Sequence, residues 1–136
     1  MKRCGSFSIK PKILVNQNSK TKPFILLNDV CYTSEQYSGL YIYNIWIHKG
    51  YNWNGANIPK FLWRIVGSQF NPEFLEASMV HDWLCENKYY IVEHGVKISS
   101  DIFREILLLN GVGEKKAWLM ASFVRIYQYF QKGWNK

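Results

Sequence analysis

Apolar and polar positions alternate most regularly in residues 40–48 of this chain. One face of that segment would carry Tyr41, Tyr43, Ile45 and Ile47. A period of two residues is typical of a half-buried strand. Residues 7–15 form another apolar run of strand length, and Pro11 within it suits an edge strand or a bulge.

A third apolar run covers residues 24–33, with Asn28-Asp29 as a candidate bend. The three runs together predict a small antiparallel sheet in residues 1–49. Residues 50–58 are rich in Gly and Asn, and Asn54-Gly55 is a turn signal. This loop marks the change from a strand pattern to a helix pattern.

Helical spacing begins at Pro59, which starts a short apolar helix through Val66. The next helix is predicted over residues 72–88, with Asn71 as its N-cap. One face of this helix carries Phe74, Ala77, His81, Leu84 and Cys85. His81 therefore points toward a core.

Two more helices follow. Ser99 or Ser100 is predicted to cap the first, which places Asp101 in its first turn, and Asn110-Gly111 ends it. The last helix covers residues 114–131. Its apolar positions lie round most of the helix surface, so we expect it to be central.

The order of sheet first and helices after predicts an α+β fold. We expect a small N-terminal antiparallel sheet followed by three to four packed helices that carry a His-Asp motif. The length of 136 residues suits a single domain, 1–136, with residues 1–49 mainly β and 50–136 mainly α.

Composition points to a surface with a function. Six Trp, nine Tyr and eight Phe are more than a core of this size needs, so some are expected at a groove or an interface. The net charge of +7 comes from scattered Lys and most simply indicates a solvated surface. Nucleic acid, an anionic membrane and an acidic protein are the alternatives, but no groove-reading motif predicts sequence-specific nucleic-acid binding.

The cysteines and the apolar runs indicate in which cellular compartment the chain folds. Cys4, Cys31 and Cys85 are widely spaced and odd in number, which argues against a disulfide framework or a zinc knuckle. The sequence has no apolar run of transmembrane length, and no apolar segment follows its charged start. Reduced, intracellular folding is the simpler interpretation.

The His81-Asp82 pair is the first candidate for chemistry. An imidazole and a carboxylate on an apolar helix cost free energy unless each is paired or bound to a metal ion. A buried His that holds two helices together is the structural alternative. Cys85, one turn further on, could pair with His81 as nucleophile and base, although a buried Cys is more often a small apolar residue.

Asp101 is the second candidate. Two helices joined by a short loop tend to be antiparallel, so Asp101 could reach His81, fix its tautomer and support a role as a base. The alternative is favourable interaction with a helix dipole. His48 and His94 are expected at the surface, and the sequence has no HExxH motif, so a dedicated zinc site is not expected.

The loop at residues 53–57 is the third candidate. Amide side chains and backbone carbonyls near Asn54 and Gly55 offer oxygen ligands that could hold calcium together with Asp82. The alternative is a plain turn that leads into Pro59.

Several of these motifs, taken in order, resemble the phage family known as domain of unknown function 1353. The likeness covers residues 50–134. It rests on Asn54-Gly-Ala-Asn-Ile-Pro59, Phe61-Leu-Trp63, Ala77, His81-Asp-Trp-Leu84, Asp101, Phe103, Ala117 and Gly133-Trp134. The family pattern has Asp, Ser and Tyr where this chain has Asn54, Asn57 and Cys85. The resemblance implies a small protein of tailed phages without a settled activity.

A more distant similarity is to bacterial and fungal phospholipase A-two enzymes. It implies that His81 activates water, that Asp101 orients His81, and that Asp82 with carbonyls near Gly55 binds calcium, which stabilises an oxyanion during ester cleavage. Asn54 removes one charge from such a site. Cys85 removes a hydroxyl that could steady Asp82.

Two functions follow as hypotheses. The first is a phage-associated, calcium-assisted ester hydrolase with His81 and Asp101 as catalytic residues. The second is a structural or interaction module of the phage tail or baseplate, in which His81 and Asp101 only hold helices together. Expected partners are phage structural proteins or lipid of the host envelope. The resemblance also implies a location in the host cytoplasm during synthesis, with the virion as the alternative.

Overall fold

The computed structural model describes residues 5–16, 22–34, 44–54, 60–65, 72–87 and 95–132. The strands are β1 (Ser6–Phe7), β2 (Ile13–Val15), β3 (Phe24–Leu26), β4 (Val30–Thr33), β5 (Asn44–Ile47) and β6 (Asn52–Trp53). The helices are α1 (Lys60–Ile65), α2 (Pro72–Glu86), α3 (Gly95–Leu109) and α4 (Glu114–Lys132). Strands come first and helices after, so the α+β class is confirmed.

The chain divides into two compact units, Met1–Asn54 and Gly55–Lys136. The division falls close to the predicted change from strand to helix pattern, and the single-domain organisation stays a prediction. None of the helices in the described ranges has both the length and the apolar content needed to cross a bilayer.

The first unit contains two antiparallel sheets where one was predicted. Their strand orders are β1-β4-β5 and β2-β3-β6. The predicted strands at residues 7–15 and 24–33 are each divided into two short strands, and the two halves join different sheets. The expectation of a single sheet was therefore wrong.

Polar side chains explain the division of the second run. The Asn28 side-chain oxygen accepts a hydrogen bond from the backbone N–H of Lys12 at 3.0 Å. An oxygen of Asp29 accepts one from the backbone N–H of Lys49 at 2.8 Å. Side chains that bond backbone groups compete with a continuous ladder, so a bend occurs at Asn28 as predicted.

The predicted alternation in residues 40–48 is confirmed where the structure describes it. Ile45 and Ile47 are buried, whereas Asn44 and Trp46 are exposed. Residues 40–43 of that prediction lie outside the described residues. β5 pairs with β4 in the register Tyr32↔Ile45 and Cys31↔Trp46.

In the second unit, α2 is the helix that is buried on all sides. Every residue from 74 to 82 is buried, a pattern found in helices that lie inside a core. α3 packs against both α2 and α4. The expectation that α4 is central was wrong, because α4 buries one face and leaves Trp118 and Phe130 exposed. In the sequence, the exposed aromatic residues of α4 give the same apolar pattern as buried ones.

α3 begins at Gly95, earlier than predicted. The hydroxyls of Ser99 and Ser100 donate to the carbonyls of Val96 and Lys97, both at 3.0 Å, from inside the helix. They do not act as caps, because a serine hydroxyl can bond the preceding turn as readily as it caps a helix. Asp101 therefore lies in the second turn, and the dipole interpretation of its position was wrong.

The end of α3 follows the prediction at Asn110-Gly111. The N–H of Val112 bonds the carbonyl of Leu107 at 3.0 Å, and the N–H of Gly111 bonds that of Leu108 at 3.1 Å. This pair of bonds is the Schellman motif. It requires a left-handed backbone at Gly111, where φ is 92°.

Replacing Gly111 tests this helix end. Gly111→Ala should lower the free energy of unfolding by about 1 kcal/mol, because an L-residue is strained at positive φ. No atom lies within 4 Å of a Cβ added there, so the cost comes from the backbone alone. Gly113→Ala is the control, since Gly113 has equal space and no positive φ. Equal urea midpoints for the two variants would contradict this account.

Candidate functional site

His81 lies inside the second unit on α2. Its side chain is fully buried, with 0% exposed. Nε2 is 3.2 Å from the side-chain oxygen of Gln128 on α4. Because an amide oxygen can only accept, Nε2 carries the proton and donates it. Nδ1 faces the thiol of Cys85.

Cys85 lies one helical turn after His81 and contacts the same glutamine. Its Sγ is 3.9 Å from His81 Nδ1 and accepts a hydrogen bond from Gln128 Nε2 at 3.1 Å. The thiol proton can therefore point to Nδ1 while the sulfur accepts from the amide. The two polar ends of Gln128 are thus both used by side chains of α2.

Ser99 brings α3 into the same group. Its hydroxyl is 3.0 Å from the carbonyl of Val96 and 3.2 Å from Gln128 Oε1, so one proton is shared between two acceptors. We call His81, Cys85, Ser99 and Gln128 the Gln128 cluster. It connects the three long helices of the unit, and the ring of Phe103 meets His81 with centroids 5.7 Å apart.

The geometry of the Gln128 cluster limits its chemistry. A general base needs an imidazole nitrogen within reach of a substrate proton. Nε2 of His81 donates its proton to Gln128, and Nδ1 faces a thiol. Cys85 is buried as well, with 3% exposed, which favours the interpretation of a small core residue. The arrangement as it stands stabilises helix packing.

Asp82 is buried at the position after His81, about 100° further round α2. Asn54 belongs to the other compact unit, and Gly55 lies outside the described residues. Calcium takes 6–8 oxygen ligands, whereas His81 is surrounded by a thiol, an amide and an aromatic ring. In the described ranges, no group of three or more His, Cys, Asp or Glu side chains could hold a metal ion. The donors around His81 do not fit calcium, and a site that includes Asn54 and Gly55 stays a prediction.

Asp101 meets basic side chains of α3 and α4. Lys97 Nζ is 2.8 Å from one carboxylate oxygen, and Arg125 is 3.4 Å from the other. Arg125 also donates to the Ser100 hydroxyl at 3.2 Å. Asp101 is two residues from Ser99, which bonds Gln128, and two from Phe103, which contacts the His81 ring. Two residues correspond to about 200° of helix rotation. Orientation of His81 by Asp101 stays a prediction, and Lys97 and Arg125 both bond the Asp101 carboxylate.

The other histidines differ from His81. His48 is exposed, with Nδ1 3.7 Å from an Asp29 oxygen, as expected for a surface residue. His94 lies outside the described residues.

Sequence reasoning missed Gln128, which organises the site. A signal for it existed. Ala117, Ala121, Val124 and Gln128 recur at intervals of four, three and four residues and are all buried. A single amide on an otherwise apolar stripe predicts a buried hydrogen-bonding partner.

Gln128→Met tests the Gln128 cluster. It keeps the volume and removes the amide, so His81 loses its acceptor and Cys85 its donor. The free energy of unfolding should fall by about 1–3 kcal/mol in urea denaturation. Lys116→Met, on the exposed side of the same helix, is the control and should change stability by less than about 0.5 kcal/mol. A similar loss for both variants would contradict a structural role for the amide.

A double-mutant cycle tests the partner of Asp101. Asp101→Asn and Arg125→Met should show a coupling of about 0.5 kcal/mol at low salt, because they remove two ends of one ion pair. Asp101→Asn and His81→Asn should be additive. Coupling of Asp101 to His81 and not to Arg125 would support the predicted orienting role.

Comparison with known proteins places the chain beside relatives of bacterial origin. "Uncharacterized protein y4jT" of Sinorhizobium fredii (strain NBRC 101917 / NGR234) is 46% identical over 35 residues, which cover 26% of this chain and 10% of that protein. "Uncharacterized protein y4iH" of the same strain is 29% identical over 76 residues, which cover 56% of this chain and 29% of that protein. The aligned part is less than a third of either relative's length. No solved structure gives a significant match.

A family model described as "Protein of unknown function (DUF1353)" matches residues 24–124. The match contains His81, Cys85 and Ser99 and ends four residues before Gln128. It confirms the family inferred from the motifs, while the phage association and the likeness to phospholipase A-two stay predictions. Because the match covers most of both compact units, the chain belongs to the family of proteins of unknown function DUF1353.

Proposed function

We propose that this chain is a non-catalytic interaction module, in which the Gln128 cluster holds three helices together and the exposed side of α4 meets a partner. One observation carries the proposal: His81 is fully buried, and its ring nitrogens face Gln128 and Cys85. A histidine in this position contributes to packing and helix register. We therefore assign the function of the chain to binding at its surface.

Burial of polar groups gives the cluster its structural value. A buried donor or acceptor that loses its partner costs about 1–3 kcal/mol. Gln128 can satisfy both α2 and α3 only when the three helices have one mutual arrangement. The cluster therefore favours one packing of α2, α3 and α4 over alternatives with a similar apolar content.

The surface supports a binding role. α4 exposes Trp118, Phe130 and Ile126, with 58%, 81% and 51% of their surface accessible. Phe61 of α1 contacts Phe123 of α4 edge to face, with centroids 5.1 Å apart, and extends this apolar area. Contiguous exposed apolar surface is typical of interaction sites. It accounts for part of the aromatic surplus noted in the sequence.

The setting we propose is a bacteriophage particle, as a tail or baseplate component. It rests on the motif resemblance of residues 50–134 to the phage family. Phage structural proteins and lipid of the host envelope are the candidate partners. Detection of the chain by mass spectrometry in purified virions would support this setting, and its consistent absence from virions would count against it.

Calcium-assisted ester hydrolysis is the competing proposal. It needs His81 to meet water and substrate, so α2, α3 and α4 would have to separate and break the bonds to Gln128. It also needs Asp82, Asn54 and Gly55 to meet around one ion. A direct assay can decide between the two proposals.

The assay follows fatty-acid release from phospholipid vesicles with added calcium. We expect no release above background. His81→Ala should lower the free energy of unfolding by about 2–4 kcal/mol, because it leaves a cavity and removes buried hydrogen bonds. His48→Ala, at an exposed histidine, is the control and should leave stability unchanged. Calcium-dependent release that disappears in His81→Ala would overturn the proposal.

A further inference from the structure

The outer side of α4 has an unusual combination of side chains. Leu119, Phe123, Ile126 and Phe130 recur at intervals of four, three and four residues, and all are exposed. At 100° per residue they lie within about 60° of one another. We call these residues the outer strip. They lie opposite the buried stripe that ends in Gln128, so α4 is apolar on two sides.

After its first residue, Glu114, α4 carries charge of one sign as far as residue 130. Residues 115–130 contain Lys115, Lys116 and Arg125 and no Asp or Glu. The whole chain has a net charge of +7. Lys115 and Lys116 are exposed in the first turn, next to the start of the outer strip.

Aromatic groups border the outer strip. Trp118 is exposed and Tyr129 is half-buried, and they lie about 80° and 60° round the helix from Ile126. Tyr and Trp favour the boundary between water and an apolar phase, because their rings are apolar and each has one polar group. A shallow pocket of about 460 Å³ lies at the N-terminal end, where Glu114, Lys115, Trp118 and Leu119 form its described lining.

From these observations we propose that the outer strip of α4 docks on an anionic lipid bilayer, with Lys115 and Lys116 near the headgroups and the strip among the upper acyl chains. A helix with Phe, Leu and Ile on one side and lysines beside them has the composition of an interfacial helix. The proposal deepens the proposed function, on which it rests, by naming the surface and the partner.

Charge decides between lipid and a second copy of the chain. Two copies joined at the outer strip would bring together Lys115 and Lys116 of both α4 helices, and Glu114 is the one acidic residue in 114–130, so positive charge would be in excess at the contact. An anionic bilayer supplies the opposite charge along its whole surface. The aliphatic Leu119 and Ile126 in the strip also suit acyl chains better than the flat bases of a nucleic acid.

The test measures binding to vesicles of phosphatidylcholine alone and of phosphatidylcholine mixed with phosphatidylglycerol. The chain should bind the anionic vesicles, and binding should weaken in high salt, because salt screens exposed lysines. Ile126→Gln and Phe130→Gln should each reduce affinity about tenfold, since each removes an apolar side chain from the lipid. Lys115→Gln and Lys116→Gln should each reduce it about fivefold.

Matched controls lie in the first unit. Leu14→Gln replaces an aliphatic side chain that is 50% exposed, against 51% for Ile126, and Trp46→Gln replaces an exposed aromatic side chain, as Phe130→Gln does. They should leave vesicle affinity unchanged. Thermal unfolding of every variant checks that the substitutions at exposed positions keep the fold.

Three results would overturn the inference: equal binding to neutral and anionic vesicles, no effect of the outer-strip variants, or a dimer in sedimentation that the same variants dissociate. The last result would make a second copy the partner. A different result would contradict the proposed function: His81-dependent release of fatty acid from the same vesicles. The two statements can therefore fail independently. Binding without release supports both statements.

Discussion

The helical unit depends on one amide. Gln128 donates to Cys85 and accepts from His81 and Ser99, so a single side chain satisfies polar groups of two other helices. Burying a histidine and a serine near the middle of a helical core would be costly without such a partner. α2 can therefore be buried around His81 as well as along its apolar positions. The apolar contacts supply most of the stabilisation, and Gln128 restricts which packing is reached.

The ion pairs of Asp101 complement this interior group at the border of the same helices. Lys97 and Arg125 hold its carboxylate, and Arg125 also bonds Ser100. α3 and α4 are thus connected twice, through Gln128 inside and Arg125 further out. Surface ion pairs contribute little free energy singly. Here the ion pairs of Asp101 restrict the orientation of α3 and α4, which already pack through apolar side chains.

Much of the fold could be predicted from periodicity. The order of strands and helices, the extent of α4 and the end of α3 at Gly111 follow from alternation, helical spacing and turn chemistry. The division into two sheets could not, because it depends on bonds from Asn28 and Asp29 to distant backbone groups. Burial of α4 was misjudged, since an exposed aromatic and a core aromatic look alike in a sequence.

The candidate site was predictable in part for the same reason. His81 stands out as a polar residue on an apolar face, and Cys85 follows from helical spacing. Gln128 and Ser99 are distant in sequence, and their meeting with His81 depends on how three helices pack. Asp101 was assigned to the first turn of a helix because two serines in a row imitate a cap, whereas their hydroxyls bond the preceding turn.

The position of the two described cysteines has a practical consequence. Cys31 and Cys85 are both buried thiols, one in each compact unit. A buried thiol reacts with an alkylating reagent only when its surroundings open. Once Cys4 is replaced, labelling rates at Cys31 and Cys85 would report the opening of the sheet unit and of the helical unit separately. Comparing the two labelling rates would therefore show whether the two units unfold together or independently.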